Sequence, residues 1–243
     1  MSLRLPLFPL NTVLYPGLVL PLRVFERRYR RLVEDLMDLS ADTPRRFGVV
    51  ALRGGHEVAP NGPDEAADES PTAGFGTPGN PMASLYAVGC VAEIASVQKE
   101  DEEVAYELVT SGTVRFALNS VDASGDYLVG EGEELPEVTG SGAAALVPGV
   151  ASAFREYQRR LASARERTVA PGQELPDDPK VLSYLVAAAT VLEVHEKQAL
   201  LVAGSAAARL EAELSLLRRE AALVAAVPSL PAVDLPDRTL HLN

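Results

Sequence analysis

Apolar and polar positions divide the chain into a first part with the pattern of strands and a second part with the pattern of helices. Period-two alternation, β-branched residues and Gly/Pro punctuation predict strands at residues 3–7, 19–23, 47–52, 88–98, 104–110, 113–121 and 127–133. Because many short strands follow one another, they predict a closed or nearly closed barrel over residues 1–135.

One helix is predicted to interrupt these strands. Its apolar positions recur with helical period and define one face: Phe25, Tyr29, Leu32, Val33 and Leu36. The opposite face is rich in arginine: Arg27, Arg28, Arg30 and Arg31. Since acidic residues follow four positions after two of these arginines, a solvated helix face is favoured over the alternative, a phosphate-binding patch.

The pattern of the second half of the chain predicts a helical bundle over residues 142–227. Helices are expected at residues 150–167, 179–194, 196–203 and 205–225, and Asp178 followed by Pro179 is typical of a helix start. The last helix carries an apolar stripe: Leu210, Leu214, Leu217, Ala221 and Val224. This stripe indicates the inner face of the bundle, and the alternative is a seam that pairs two chains as a homodimer.

Two segments lack the apolar residues needed for packing. Residues 54–81 are rich in Gly, Pro, Ala, Asp and Glu, and predict a mobile acidic loop between two strands. The alternative is a lid over a groove, anchored by Phe75. Residues 228–243 are predicted to form an extended tail.

The uncharged stretch LPLFPLNTVLYPGLVLPL, residues 5–22, is long enough to span a membrane. Its prolines argue against a helix, because each proline in a helix interior costs about 3 kcal/mol. They also interrupt the apolar core that an export signal needs. We therefore expect strands separated by turns, with no membrane anchor and no export signal.

Composition narrows the function further. The net charge of −12 argues against broad binding of nucleic acid or of anionic membranes. The single cysteine, Cys90, cannot form an internal disulfide, and three scattered histidines have no metal-ligand spacing. These features predict a cytoplasmic protein without a metal or cofactor.

No familiar catalytic motif is present. The chain contains neither a Gly-Lys-Ser/Thr phosphate loop nor a Gly-x-Ser-x-Gly elbow. Cys90 lies among apolar residues and is interpreted as a small buried hydrophobe. We expect a protein that is not an enzyme.

Several motifs together resemble the Lon protease N-terminal, or substrate-binding, domain in its stand-alone bacterial form. They are the stretch at residues 5–22, RVFERRYRRLVEDL from Arg23, RRFGVVAL, LYAVGCVAEI and TVRFAL, followed by LPDDPKVLSYL, HEKQALL and ARLEAELSLLRRE. Phe25, Glu26, Arg28, Tyr29 and Arg30 are similar to the FE-x-RYR signature of the stand-alone type. Two features depart from the family: Arg27 stands where proline is common, and the loop at residues 54–81 is longer.

The resemblance implies an α+β fold, in which a PUA-like six-stranded pseudo-β-barrel with one inserted helix precedes a C-terminal α-helical bundle. It also implies a non-catalytic module that recognises unfolded or extended polypeptides, as an adaptor in protein quality control. The ATPase and Ser-Lys peptidase of the full protease are expected to be absent. An apolar groove or a barrel edge would receive the peptide, with main-chain hydrogen bonds for affinity.

The candidate binding residues are Tyr15, Phe25, Glu26, Arg28 and Tyr29. The alternative is structural: Phe25 and Tyr29 belong to the core, while Glu26 and Arg28 tie the helix to a loop. A second function hypothesis is RNA binding through the basic patch between Arg23 and Arg31, which the net charge opposes.

Overall fold

The computed structural model describes residues 2–53, 80–100, 105–164 and 174–226. The predicted tail, Phe75 and all but the last two residues of the predicted loop at 54–81 lie outside these ranges. Six strands precede four of the five α-helices, which confirms the predicted order of a strand-rich part followed by a helical part. The expected PUA-like classification and the division near residue 135 stay predictions.

The strands form one mixed sheet. They are β1 (Ser2–Leu10), β2 (Val19–Val24), β3 (Arg46–Ala51), β4 (Val88–Glu100), β5 (Ala105–Asp122) and β6 (Val129–Glu134). Their order is β2-β5-β4-β3-β1-β6, and only β1 and β3 run parallel within this order. The uncharged stretch of residues 5–22 thus belongs to two strands and the turn between them.

Strand β5 closes the sheet on itself. Strand β6, at one end of the order, also pairs with the second half of β5, from Phe116 to Asp122. Strands β5, β4, β3, β1 and β6 therefore form a ring of hydrogen-bonded neighbours. Strand β2 lies outside that ring, on the first half of β5.

The prediction of two separate strands at 104–110 and 113–121 is wrong, because β5 continues through Ser111 and Gly112. Gly112 permits a close approach of two chain segments and does not mark a turn. A Cβ atom at this position would lie 2.3 Å from the carbonyl oxygen of Tyr15. The glycine therefore lets the β1–β2 connection pack directly on β5.

Helix α1 (Arg27–Met37) packs on the face of the sheet that carries Phe8, Phe47 and Val49. Its predicted apolar face is confirmed for Tyr29, Leu32, Val33 and Leu36 and is wrong for Phe25, which is exposed. The Tyr29 ring stacks on Phe8 of β1, with the ring centroids 4.2 Å apart. Two tyrosines of the sheet region hold the polar side of α1: the Tyr106 hydroxyl donates to Glu34 and the Tyr127 hydroxyl to Asp35. Helix α1 is thus fixed to β1, to β5 and to the β5–β6 connection.

The helical part comprises α2 (Ala143–Ala164), α3 (Pro179–Ala189), α4 (Val194–Val202) and α5 (Ala206–Ala226). The expected boundaries were wrong in two places, since α2 begins seven residues before residue 150 and α3 ends before residue 190. The predicted cap is confirmed, because Asp178 accepts hydrogen bonds from the backbone N–H groups of Lys180 and Val181. In the predicted stripe of α5, Leu210, Leu217 and Ala221 are buried.

Candidate functional site

Strand β2 lies at the end of the sheet. Its residues pair with Tyr106–Ser111 of β5, and among the described residues no other strand pairs with it. Its inner side chains, Leu20 and Leu22, pack against the core that α1 covers. One edge and one face of β2 therefore point away from the rest of the sheet.

The outward face of β2 is apolar at Val19 and Pro21 and charged at Arg23. Val19 and Phe25 are 64% and 62% exposed, and Val109, on β5 directly opposite the exposed Pro21, is 42% exposed. Exposed apolar side chains of this size are unfavourable in water, so a group of them is typical of a binding surface. Val19, Pro21, Phe25 and Val109 are called the β2 face below.

The Phe25–Tyr29 group, predicted as a binding site, is divided by the structure. Phe25 points to solvent and belongs to the β2 face, whereas Tyr29 is buried in the core. Between them, the guanidinium of Arg28 lies 2.7 Å from the Glu26 carboxylate and 4.7 Å from the centre of the Tyr29 ring. Glu26 and Arg28 thus fix the chain where β2 leads into α1, which holds Phe25 in place.

The arginines of α1 make local ion pairs, as the solvated-face interpretation predicts. Arg31 lies 3.1 Å from Asp35 one turn later and 3.9 Å from Asp126. Arg28 pairs with Glu26. Carboxylates therefore already balance part of the positive charge that the RNA hypothesis requires.

Tyr15, the remaining predicted site residue, is not at the surface. It is 1% exposed, and its hydroxyl donates to the backbone carbonyl of Lys197 on α4 at 2.9 Å. Its ring lies 5.8 Å from that of Tyr184 on α3, and burial raises the pKa of its hydroxyl. Tyr15 therefore joins the sheet to the helices and lies apart from the β2 face.

Two buried arginines at the same junction were not predicted. Arg115 of β5, with a side chain 3% exposed, donates to the carbonyl oxygens of Leu201, Ala203 and Pro136 at 2.7, 2.8 and 3.1 Å. Its Nε lies 3.1 Å from Glu137, at an angle unsuited to a hydrogen bond, so this contact is an ion pair. Arg115 thereby satisfies carbonyl groups that the end of α4 leaves without helical partners.

The second arginine, Arg209 of α5, is fully buried. It donates to the carbonyl oxygen of Leu200, to Ser183 and to the hydroxyl of Tyr184, over whose ring its guanidinium stacks. It also lies 3.3 Å from Glu137, which accepts a hydrogen bond from Tyr184. A single carboxylate therefore contacts an arginine of the sheet and an arginine of the helices.

A buried carboxyl, Glu213 of α5, lies one turn after Arg209. It is 1% exposed, and neither carboxyl oxygen has a hydrogen-bond partner among the described residues. It lies among apolar residues of α3, α4 and α5, including Val186, Leu200 and Leu217. Burial raises the pKa of the Glu213 carboxyl to about 9, although the nearby Arg209 opposes this shift.

The described residues contain no group of three or more His, Cys, Asp or Glu side chains that could hold a metal ion. Burial raises the pKa of the Cys90 thiol to about 12, so it is not a ready nucleophile. Within the same residues, none of the helices has both the length and the apolar character to cross a bilayer.

Comparison with known proteins shows the family to which the chain belongs. The model of the ATP-dependent protease La (LON) substrate-binding domain matches residues 4–219. The chain belongs to this family. The match spans the sheet, the junction and most of α5, and it confirms the resemblance inferred from the motifs.

Relatives of this Lon-family chain include two bacterial proteases. It is 31% identical to Lon protease 2 of Syntrophobacter fumaroxidans over 211 residues, which cover 86% of this chain and 23% of that protein. It is 29% identical to Lon protease 2 of Myxococcus xanthus, over 89% of this chain and 24% of that protein. The chain thus spans about a quarter of the length of these relatives.

Solved structures support the fold. A Lon N-terminal domain protein from Xanthomonas campestris has a TM-score of 0.56 and 22% identity, and the match covers 88% of this chain and 98% of that one. The N-terminal domain of a Mycobacterium avium complex Lon protease has a TM-score of 0.55 and 16% identity, with 90% and 98% covered. These neighbours extend over both the strands and the helices.

Proposed function

We propose that this Lon-family domain binds unfolded or extended polypeptide segments at the β2 face without catalysing a reaction. The observation that carries the proposal is the exposure of Val19 on the edge strand β2, of Val109 on the neighbouring β5, and of Phe25 directly after β2. A family described as a substrate-binding domain of a protease supports polypeptide as the ligand. In this proposal the domain acts as an adaptor that presents clients for proteolysis.

The geometry of Phe25 suits an anchor for such a ligand. The ion pair between Glu26 and Arg28 and the burial of Tyr29 fix the backbone beside Phe25, so binding at its ring orders little additional backbone. Glu26, Arg28 and Tyr29 therefore act as positioning residues, and Phe25 makes the contact. Tyr15 supports the junction and has no part in this surface.

Binding of fluorescently labelled casein, an unfolded polypeptide, tests the proposal by fluorescence anisotropy. Phe25→Ala is expected to weaken binding about tenfold, since the loss of an aromatic anchor costs on the order of 1–2 kcal/mol. The matched control is Leu223→Ala on α5, because Leu223 is also exposed, at 53%, and lies outside the β2 face. Absence of casein binding, or equal weakening by both substitutions, would contradict the proposal.

Salt dependence separates this function from RNA binding. Apolar contacts survive an increase from about 50 to about 200 mM salt, whereas binding to several phosphates falls by orders of magnitude. Casein that stays intact by mass spectrometry after long incubation would support a non-catalytic role, and new cleavage products would refute it.

A further inference from the structure

A hydrogen bond beside the start of β2 shows which of its residues bond to β5 and which direct their backbone groups outward. The N–H of Gly112 donates to the carbonyl oxygen of Leu18 at 2.8 Å. In an antiparallel pair, alternate residues exchange hydrogen bonds with the partner strand, and those between them direct their N–H and C=O groups away. The backbone groups of Val19 and Pro21 therefore point away from β5.

The position of Pro21 agrees with this outward orientation. A proline has no N–H to give to a ladder, and within sheets it is tolerated where that position faces an open edge. From Val19 to Pro21 the edge consequently presents two carbonyl oxygens and one N–H. Such an edge favours a partner that supplies N–H groups at alternate residues.

On the basis of the proposed function, we propose that the client segment joins the sheet as an added antiparallel strand along β2. Its main-chain N–H groups donate to the outward carbonyl oxygens of Val19 and Pro21, and one of its carbonyl groups accepts from the N–H of Val19. Residues paired across two strands place their side chains on the same face. The client residues that make these bonds therefore lie beside the β2 face and are preferably apolar.

An ordinary polypeptide fits this edge better than a second copy of the chain. An ordinary client leaves one carbonyl group without a donor opposite Pro21, whereas a second β2 strand brings its own Pro21 and leaves two. Proline on an edge strand is a known device against pairing between identical sheets. The occupant we assign is thus an extended client with free amides at alternate positions.

Selective N-methylation of a peptide tests this assignment. The probe is a short fluorescent peptide of alternating Val and Thr, with Lys at both ends for solubility. Methylation of every valine nitrogen is expected to weaken binding about tenfold, because it removes the N–H donors that face β2. Methylation of every threonine nitrogen is expected to change the dissociation constant by less than about twofold.

The outcomes distinguish this inference from the proposed function. If the unmodified peptide and casein both fail to bind, the proposed function fails. If they bind and the two methylated peptides are equally affected, only the added strand is refuted, since side chains alone would then hold the client.

A pair of variants at Val19 gives a second measurement from the protein's side. Val19→Pro removes the outward N–H and the side chain, whereas Val19→Ala removes most of the side chain alone. Val19→Pro is expected to bind the peptide several-fold more weakly than Val19→Ala, with circular dichroism verifying that both variants fold. Equal binding by both, or self-association that Val19→Pro abolishes without any peptide binding, would overturn the proposal.

Discussion

Glu213 is 1% exposed, and its carboxyl group has no hydrogen-bond partner among the described residues. Burial disfavours the charged form, so the folded chain holds the proton of this group at neutral pH. Glu213→Gln keeps the shape of the side chain and removes its ionisation. We expect the substitution to stabilise the fold increasingly as pH rises.

The magnitude follows from the shift in pKa. The pKa of Glu213 rises from an ordinary value of 4.5 to about 9 in the folded chain. Because the folded-state pKa is the higher one, the contribution of this group is complete below 4.5 and is lost as pH rises through about 9. One pH unit within this window changes the free energy of unfolding by about 1.4 kcal/mol, so about 3 kcal/mol is lost between about pH 6 and about pH 8.

Urea denaturation followed by far-ultraviolet circular dichroism measures this effect. The difference in the free energy of unfolding between Glu213→Gln and the unsubstituted chain is expected to grow by about 3 kcal/mol from about pH 6 to about pH 8. Other titrating groups cancel in this difference. Glu211→Gln, which replaces an exposed carboxylate on the same helix, is the matched control.

A difference that stays constant with pH would refute the reasoning, because it would mean that Glu213 is ionised in the folded chain at about pH 6. That result would require a partner or solvent at the carboxyl group, contrary to its burial.

Three further substitutions test the packing by urea denaturation, each with its own control. Gly112→Ala is expected to lose about 3 kcal/mol of stability, because its Cβ would lie 2.3 Å from the Tyr15 carbonyl oxygen, whereas Gly125→Ala, with its nearest neighbouring atom at 3.9 Å, is expected to be neutral. Arg115→Met leaves three carbonyl groups without their donor and is expected to cost about 3–5 kcal/mol, against less than about 1 kcal/mol for the exposed Arg4→Met. Asp178→Ala removes the cap of α3 and should cost about 1 kcal/mol, with the exposed Asp177→Ala close to neutral. Losses no larger than those of the controls would contradict these interpretations.

Local patterns predicted most of the secondary structure but missed what distant segments impose. The apolar face of α1 and the cap at Asp178 are periodic or adjacent features, and the structure confirms both. Gly112 falls between two predicted strands, because the segment that packs on it, at Tyr15, is remote in sequence. The role of that glycine depends on a contact that no local pattern records.

The same limit applies to the candidate site. The signature around Phe25 could be found from sequence, but its division into an exposed Phe25 and a buried Tyr29 depends on the docking of α1 against Phe8. The burial of Arg115 depends on α4, whose Leu201 carbonyl lies 86 positions further along the chain. A charged residue inside the apolar alternation of TVRFAL was the available signal.

The placement of β2 on the first half of β5 also bears on how the protein is made. Residues Val19–Val24 are synthesised early, but the strand they pair with, residues Tyr106–Ser111, emerges from the ribosome much later. Until β5 has been made, the nascent chain has no sheet on which β2 can display an ordered edge. The proposed client surface therefore comes into being only after β5 is synthesised, which keeps an unfinished chain from capturing other polypeptides by strand addition.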